Sequence, residues 1–278
     1  MNWKIAVDSS SDLHEGMECA PNVSLSIVPL VLQVGGMSFV DEPGMDMDVF
    51  TKSLRTSTEA TGSSCPSPAA WAKVFEEADC TLALTISSEL SGSYNAAMIA
   101  RDLVMDEYPD KKIAVIDSRA TSGQMILLAQ KVNELIAKGL GFEEIIHAVE
   151  DYNRTLHIYF TLCSFDNLTK SGRMPKLVGV LAKKLGMRII GTAEQGKIAV
   201  VHKCRGDRST LLTLIKDMKE SCDLSKRHVV ITHCSNLKLA LTLQNLLETE
   251  ASGVRVTIRP THGLTSYYAE EHGLIISY

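Results

Sequence analysis

The stretch SSELSGSYNAA, residues 87–97, is the most informative set of hydrogen-bonding groups in this 278-residue chain. It joins an apolar run, TLALTIS (residues 81–87), to a segment expected to be helical over 92–105. A helix N-terminus leaves backbone N–H groups without partners, and its partial positive charge favours an anion. Ser88, Ser91 and Ser93 add hydroxyls at that point, and Gly92 allows a ligand close to the backbone. Plain serine N-capping is the competing reading. A second stretch, TGSSCPSPAAW (residues 61–71), has the same character: Ser63 and Ser64, then Ser67-Pro68 as a helix start. Two such turns meeting at one place would hold a carboxylate or a phosphate.

Other residue types in the chain could also do chemistry. Asp8 and Asp117 each close a strand and are each followed by serine. That pattern reads as Asx- or ST-turn caps rather than as an acid–base pair or a metal site. Arg173 lies in SGRMPK, where Gly172 and Pro175 imply a defined turn; an arginine in a loop is otherwise most often a solvated one. His233, in ITHCSN, reads as structural. His262, in PTHGLTSYY, is either a turn residue or a ligand-facing one.

The elements that must position these groups fall into two halves. Strand-like runs KIAVDSS, TLALTIS and KIAVIDS alternate with helices expected over 67–77, 92–105 and 122–137. That alternation predicts a parallel sheet, in which ligands gather outside the carboxyl ends of the strands. Residues 8–11, 87–91 and 117–121 all occupy such ends. Gly35-Gly36 between extended runs marks a hairpin, and a short helix is expected over 46–53. After a connecting helix over 142–154 the pattern changes. HIYFTLCS is a strand, 177–185 a helix, and RIIGTAEQGKIAVVHKCRG a hairpin turning at 194–196. Helices over 209–218 and 237–248, strands HVVITHCS, VRVTIRP and GLIISY, and a short helix over 266–271 complete an α+β half. The predicted fold class is α/β: an N-terminal parallel-sheet domain, residues 1–154, packed on a C-terminal α+β domain, residues 155–278.

Composition narrows the function classes. The charged fraction is 22%, the hydrophobic fraction 45% and the net charge −5, which argues against a dedicated nucleic-acid binder. Seven cysteines without CxxC spacing predict neither a zinc site nor a disulfide framework. The opening WKIAVDSS reads as a strand and not as a signal peptide, and no apolar run reaches ~18 residues. A cytoplasmic location is expected. Aromatics are only 5%, so any tunnel is expected to be lined by Leu, Ile, Val and Met.

DSSSDL, IVPLVLQVGG, SSCPSP, SSELSGSYNAA, VIDSRATSGQ and SGRMPK occur in that order. Together they resemble the DegV family, closely from about Lys4 to Val201 and loosely beyond. The resemblance implies a fatty-acid-binding protein akin to the binding subunit of bacterial fatty acid kinase. It implies that the hydroxyls of Ser63 and Ser91, with Ser64 and Gly92 beside them, hold the carboxylate, and that Arg173 lies at the mouth and helps present the acid. It implies His262 near the head group, although the family's GPG after the histidine is absent and Tyr267 and Tyr268 stand where small residues are usual. Serine at 63 and Cys65 replace the usual threonine and glutamine, and a thiol is the weaker donor. The implied partners are a long-chain fatty acid such as palmitate, stearate or oleate and an ATP-dependent fatty acid kinase subunit. Neither a cofactor, a metal nor nucleic acid is implied, and membrane contact only transiently. The competing function is a serine-dependent hydrolase or transferase acting on a small acyl substrate, with Ser91 as nucleophile and His233 or His262 as base. SSELSGSY lacks the GxSxG elbow of one such class. A DNA-associated regulator is a third reading, disfavoured by the net charge.

Overall fold

A computed structural model describes residues 1–174 and 187–278. Strands β1 (Trp3–Asp8), β2 (Val23–Val28), β6 (Cys80–Thr85) and β7 (Lys112–Asp117) form a parallel sheet in the order β2-β1-β6-β7. β1 and β6 are buried throughout, as expected of strands covered on both faces. Successive side chains alternate between the two covers. Ile5 and Val7 pack with Met125, Leu128 and Val132 of α4 (Gly123–Ala137) and with Ile145 and Val149 of α5 (Phe142–Thr155). Ala6 and Ala83 face α2 (Pro68–Phe75) and α3 (Ser93–Glu107), meeting Trp71, Phe75, Ala97 and Ala100. The alanines on both sides let α3 approach the sheet closely.

Hairpin β3 (Val31–Val34) and β4 (Met37–Val40) forms over Gly35-Gly36 as expected, with Val34 paired to Met37. One element was not legible in advance. Residues read only as a hydroxyl turn form β5 (Gly62–Ser64), which pairs antiparallel with β3 so that Ser63 stands opposite Leu32. Helix α1 (Met47–Thr56) follows an Asp46 cap, and α2 begins as predicted, with Ser67 accepting from the Ala70 N–H and Pro68 in the first turn.

The second half carries a mixed sheet in the order β10-β9-β8-β13-β11-β12. Its strands are β8 (Ile158–Leu162), β9 (Met187–Glu194), β10 (Lys197–Arg205), β11 (His228–His233), β12 (Arg255–Pro260) and β13 (Leu274–Ser277). Only the β11–β12 pair is parallel. Helices α6 (Asp166–Lys170), α7 (Asp207–Ser221), α8 (Leu237–Glu250) and α9 (Gly263–Ala269) accompany it. The helix expected over 266–271 starts earlier, at Gly263, because Asp41 accepts from the Leu264 N–H and anchors the first turn. The helix expected over 177–185 lies outside the described residues. α4 packs against β1 and β6 on one side and β11 and β13 on the other, so a single helix serves both sheets. Among the described residues no helix is long and apolar enough to cross a membrane.

Asp8 ties the carboxyl end of the parallel sheet together. It is fully buried. Its Oδ1 accepts from the Ser10 hydroxyl at 2.5 Å, and its Oδ2 from the Ile86 N–H at 2.9 Å and the Ser93 hydroxyl at 2.7 Å. Burial raises its carboxyl above the usual range in spite of these bonds. The acceptors therefore matter more than the charge. Asp8→Ala, which strands these donors, should lower stability by about 3 kcal/mol. Asp8→Asn, which keeps one acceptor, should cost less, as read by urea denaturation of the two variants.

Candidate functional site

A cavity of about 320 Å³ lies between the carboxyl end of the parallel sheet and one face of the mixed sheet. Its walls are mainly apolar: Leu30, Ile86, Leu90, Leu162, Leu168 and Ile275 among others. Ser63, Ser64, Ser91, Gly92 and Arg173 all line it. The two hydroxyl-rich turns, far apart in the chain, do meet on one cavity.

β5 carries Ser63 to this place, and the Ser63 hydroxyl lies 2.8 Å from the Tyr268 hydroxyl. Ser64 is exposed beside it. The 87–97 turn is held from three sides. Asp117 accepts from the Ser88 N–H at 3.2 Å and hydroxyl at 2.6 Å, and also from the Arg119 N–H at 2.8 Å, which is cap work of the kind its sequence pattern implies. The Ser87 hydroxyl donates to the Gly196 carbonyl at 2.7 Å, fastening the β9–β10 turn to this one. Gly196 has a φ of +84°, and a Cβ there would strike that hydroxyl. Helix α3 starts with Gly92 at the cap position and has no side-chain cap. Ser91 instead accepts weakly from the Ser93 N–H, at 3.3 Å, which leaves its own proton free. Among the described residues no histidine hydrogen-bonds Ser91. Cys65 crowds the same rim: a Cβ on Gly92 would lie 3.2 Å from its sulfur.

Arg173 closes the rim. Its Nε donates to the Leu90 carbonyl at 3.3 Å and its Nη1 to the Ser171 carbonyl at 3.2 Å. Its guanidinium lies 5.8 Å from the centre of the Tyr268 ring, within cation–π range. The arginine is half-buried rather than free in solvent. Pro175 and Lys176 of its motif lie outside the described residues. Tyr268 is the residue that sequence reasoning passed over. It touches both Ser63 and Arg173, and its only advance signal was an aromatic pair, Tyr267-Tyr268, in an unusual place.

His262 is not among the cavity-lining residues. Its Nδ1 donates to Asp41 Oδ1 at 2.6 Å, and its ring stacks on His14 with centroids 3.5 Å apart and planes 16° from parallel. His14 Nε2 lies 3.3 Å from the same Asp41 oxygen. Nearby, Asp12 accepts from the His262 N–H at 2.8 Å and from the Ser122 hydroxyl at 2.5 Å. His14, Asp41 and His262 present ligand atoms within 4.8 Å of one another. A bound ion must lie in the plane of each imidazole that ligates it. Rings stacked face to face cannot both meet that condition, so this geometry suits protons shared around one carboxylate. No spacing signal could have revealed the cluster, since its members come from distant parts of the chain. His233 accepts from the Asn236 N–H at 3.3 Å, a turn contact.

The fold and this apolar cavity with its polar rim define a class. A sequence model of the DegV family, described as "Uncharacterised protein, DegV family", matches residues 2–277, and the chain belongs to that family. A DegV domain-containing protein of Streptococcus pneumoniae is 35% identical over 279 residues, spanning 100% of this chain and 99% of that protein. Among solved structures, the Streptococcus pneumoniae fatty acid kinase (Fak) B3 protein loaded with linoleic acid matches with a TM-score of 0.97 and 35% identity, covering 100% of this chain and 99% of its own. A DegV family protein from Eubacterium eligens loaded with heptadecanoic acid matches with a TM-score of 0.93 and 30% identity over 99% and 98% of the two chains. One from Ruminococcus gnavus with vaccenic acid gives 0.89 and 29% over 99% of each.

The cluster has a pH signature. Burial opposes charge on His14, but its hydrogen bond to Asp41 and that carboxylate's charge outweigh burial and raise its pKa above 6.5. Burial likewise opposes charge on Asp41, and the bonds from both histidines win and lower it. Burial pushes Asp12 up to about 7. A raised His14 stabilises fully below pH 6.5 and loses that contribution as pH rises through its folded value. A raised Asp12 also favours the folded state at the lower pH. Burial holds His157, His228 and His233 below 6.5, and they act in the opposite sense, so the test compares variants. By chemical denaturation His14→Gln should lose more stability relative to wild type at pH 6 than at pH 9, each unit of the His14 shift being worth about 1.4 kcal/mol. An equal loss at both pH values would mean that His14 carries no extra proton.

Proposed function

We propose that this chain binds a long-chain fatty acid such as palmitate, stearate or oleate, and presents its carboxyl group to a separate ATP-dependent kinase. The observation that carries this reading is the fit between cavity and amphiphile. The walls are apolar, and the rim brings together Ser63, Ser64, Ser91 and Arg173. Burial of the tail favours binding by about 0.8 kcal/mol per methylene, before the ordering costs of association. The hydroxyls at the rim answer the need of a desolvated carboxylate for partners. Relatives that share this fold over nearly their whole length carry linoleic, heptadecanoic and vaccenic acid.

On this reading the chain is a carrier and does no chemistry itself. A carboxylate oxygen of the bound acid attacks the γ-phosphorus of ATP held by the kinase, and ADP leaves. The acyl phosphate then stays with its tail sheltered. The kinase partner is inferred from the relative named as a fatty acid kinase B3 protein. Seven unpaired cysteines, Cys65 exposed among them, fit a reducing cytoplasm.

Native mass spectrometry of protein from a bacterial host should find bound fatty acid; bare protein even after incubation with palmitate or oleate would count against the reading. Ser91→Ala should weaken binding roughly 10- to 150-fold, the loss of one hydrogen bond to a charged group, while the fold survives. Unchanged affinity would leave Ser91 a backbone turn residue only.

Arg173→Ala should separate binding from presentation. The tail supplies most of the affinity, so fatty acid binding should fall by no more than about fivefold. Acyl phosphate formation with the cognate kinase should drop much further, because a cation near the transferring group is lost. Equal losses would place Arg173 at the carboxylate instead.

A further inference from the structure

The mixed sheet contributes one wall of the cavity, and its side chains alternate between two faces. On β8, Ile158, Phe160 and Leu162 line the cavity, while Tyr159 stacks on Tyr278 on the far side. Phe160 stands opposite Ile275 of β13 on one flank and Gly191 of β9 on the other. Ile275 and Ala193, two residues beyond Gly191, also line the cavity.

The position of the Phe160 ring depends on that glycine. A Cβ added at Gly191 would run into Cζ and Cε2 of Phe160 and lie 2.7 Å from the Ala199 carbonyl oxygen. The ring therefore lies across β9, in the volume that a side chain at 191 would fill. Phe165 meets it in an edge-on contact, with centroids 6.4 Å apart and planes at 61°. Laid down in this way, the largest side chain on this wall occupies the space over Gly191. Displaced from Gly191, it would stand in the cavity, since Ile158 and Leu162 flank it along the strand.

We propose that the Phe160–Gly191 pair determines which acyl tails the cavity accepts. With the ring over Gly191, the cavity keeps its depth for long tails. A ring forced upright, or a larger one, shuts out the far end of a long tail and leaves a short one untouched. The inference rests on the fatty acid reading above and concerns tail selection alone.

The test measures displacement of a fluorescent fatty acid by laurate, myristate, palmitate and stearate. Phe160→Trp and Gly191→Ala should each lower the affinity for stearate relative to laurate by roughly tenfold, the equivalent of about two excluded methylenes. Phe160→Ala should shift the ratio toward stearate. Phe160→Ala combined with Gly191→Ala should recover the stearate affinity lost by Gly191→Ala alone. If Gly191→Ala does not fold, because of its contact with the Ala199 carbonyl, the two Phe160 variants carry the test. Variants that change all four acids by the same factor would overturn the assignment of this pair while leaving the carrier reading intact. A wild-type protein that takes up none of the acids would overturn the carrier reading itself, and this inference with it.

Discussion

A carboxylate taken out of water must be given donors; Asp8, Asp12 and Asp41 are all buried, Asp8 among strand ends of the N-terminal half and Asp12 and Asp41 where that half meets residues of the C-terminal half. Asp8 gathers donors from the β1, β6 and α3 ends. Asp12 accepts from Ser122 before α4 and from His262 before α9. Asp41 takes His262 and the Leu264 N–H, so the first turn of α9 is fixed against the β4 end. A buried acceptor tolerates little displacement of its donors, because each bond lost leaves a desolvated polar atom. The halves are thereby held in one register. The cavity between them exists because of that register.

α9 transmits this constraint to the cavity. Its first turn is gripped by Asp41 through the Leu264 N–H, and Leu264, Thr265, Tyr268 and Ala269 line the cavity. Tyr268 then reaches Ser63 with its hydroxyl and Arg173 with its ring. Histidines that do not line the cavity are therefore mechanically linked to its rim. The same helix faces the cavity with Leu264 and Ala269, while its polar contacts fall to its start and to the hydroxyls of Ser266, Tyr267 and Tyr268. That division of labour suits an amphiphile, whose tail asks only for apolar area and whose head asks for a few well-placed donors.

The walls differ in how they make room. On the parallel-sheet side the space comes from turns that bend away after each strand, held open by Asp8 and Asp117. On the mixed-sheet side it comes from small residues in a strand, Gly191 and Ala193, beneath an aromatic ring that lies down. Interiors pack at high density, so a cavity persists only where the surrounding side chains are prevented from collapsing into it. Hydrogen-bonded turns do this on one side and a sheet on the other.

Much of this was written locally and could be read without coordinates. Alternation of apolar runs with helical segments specified the parallel sheet. Ser67-Pro68 marked the start of α2, and the Gly35-Gly36 and 194–196 turns marked their hairpins. Asp8 and Asp117 were legible as caps through their contacts to Ser10 and Arg119, two residues on, whereas their bonds to Ile86, Ser93 and Ser88 were not. The gathering of residues 8–11, 87–91 and 117–121 followed from topology, since all three leave strand ends on one side of the parallel sheet. Other features depended on residues far apart in the chain. Ser63 lies on a strand because β3 happens to offer it a free edge. His262 pairs with Asp41 and His14, and Phe160 lies over Gly191, through contacts that carry no local periodicity. Propensity and capping act within a few residues and so are encoded in short stretches. Which buried carboxylate receives which donor, and which side chain fills the space above a glycine, is decided only when packing brings distant strands together.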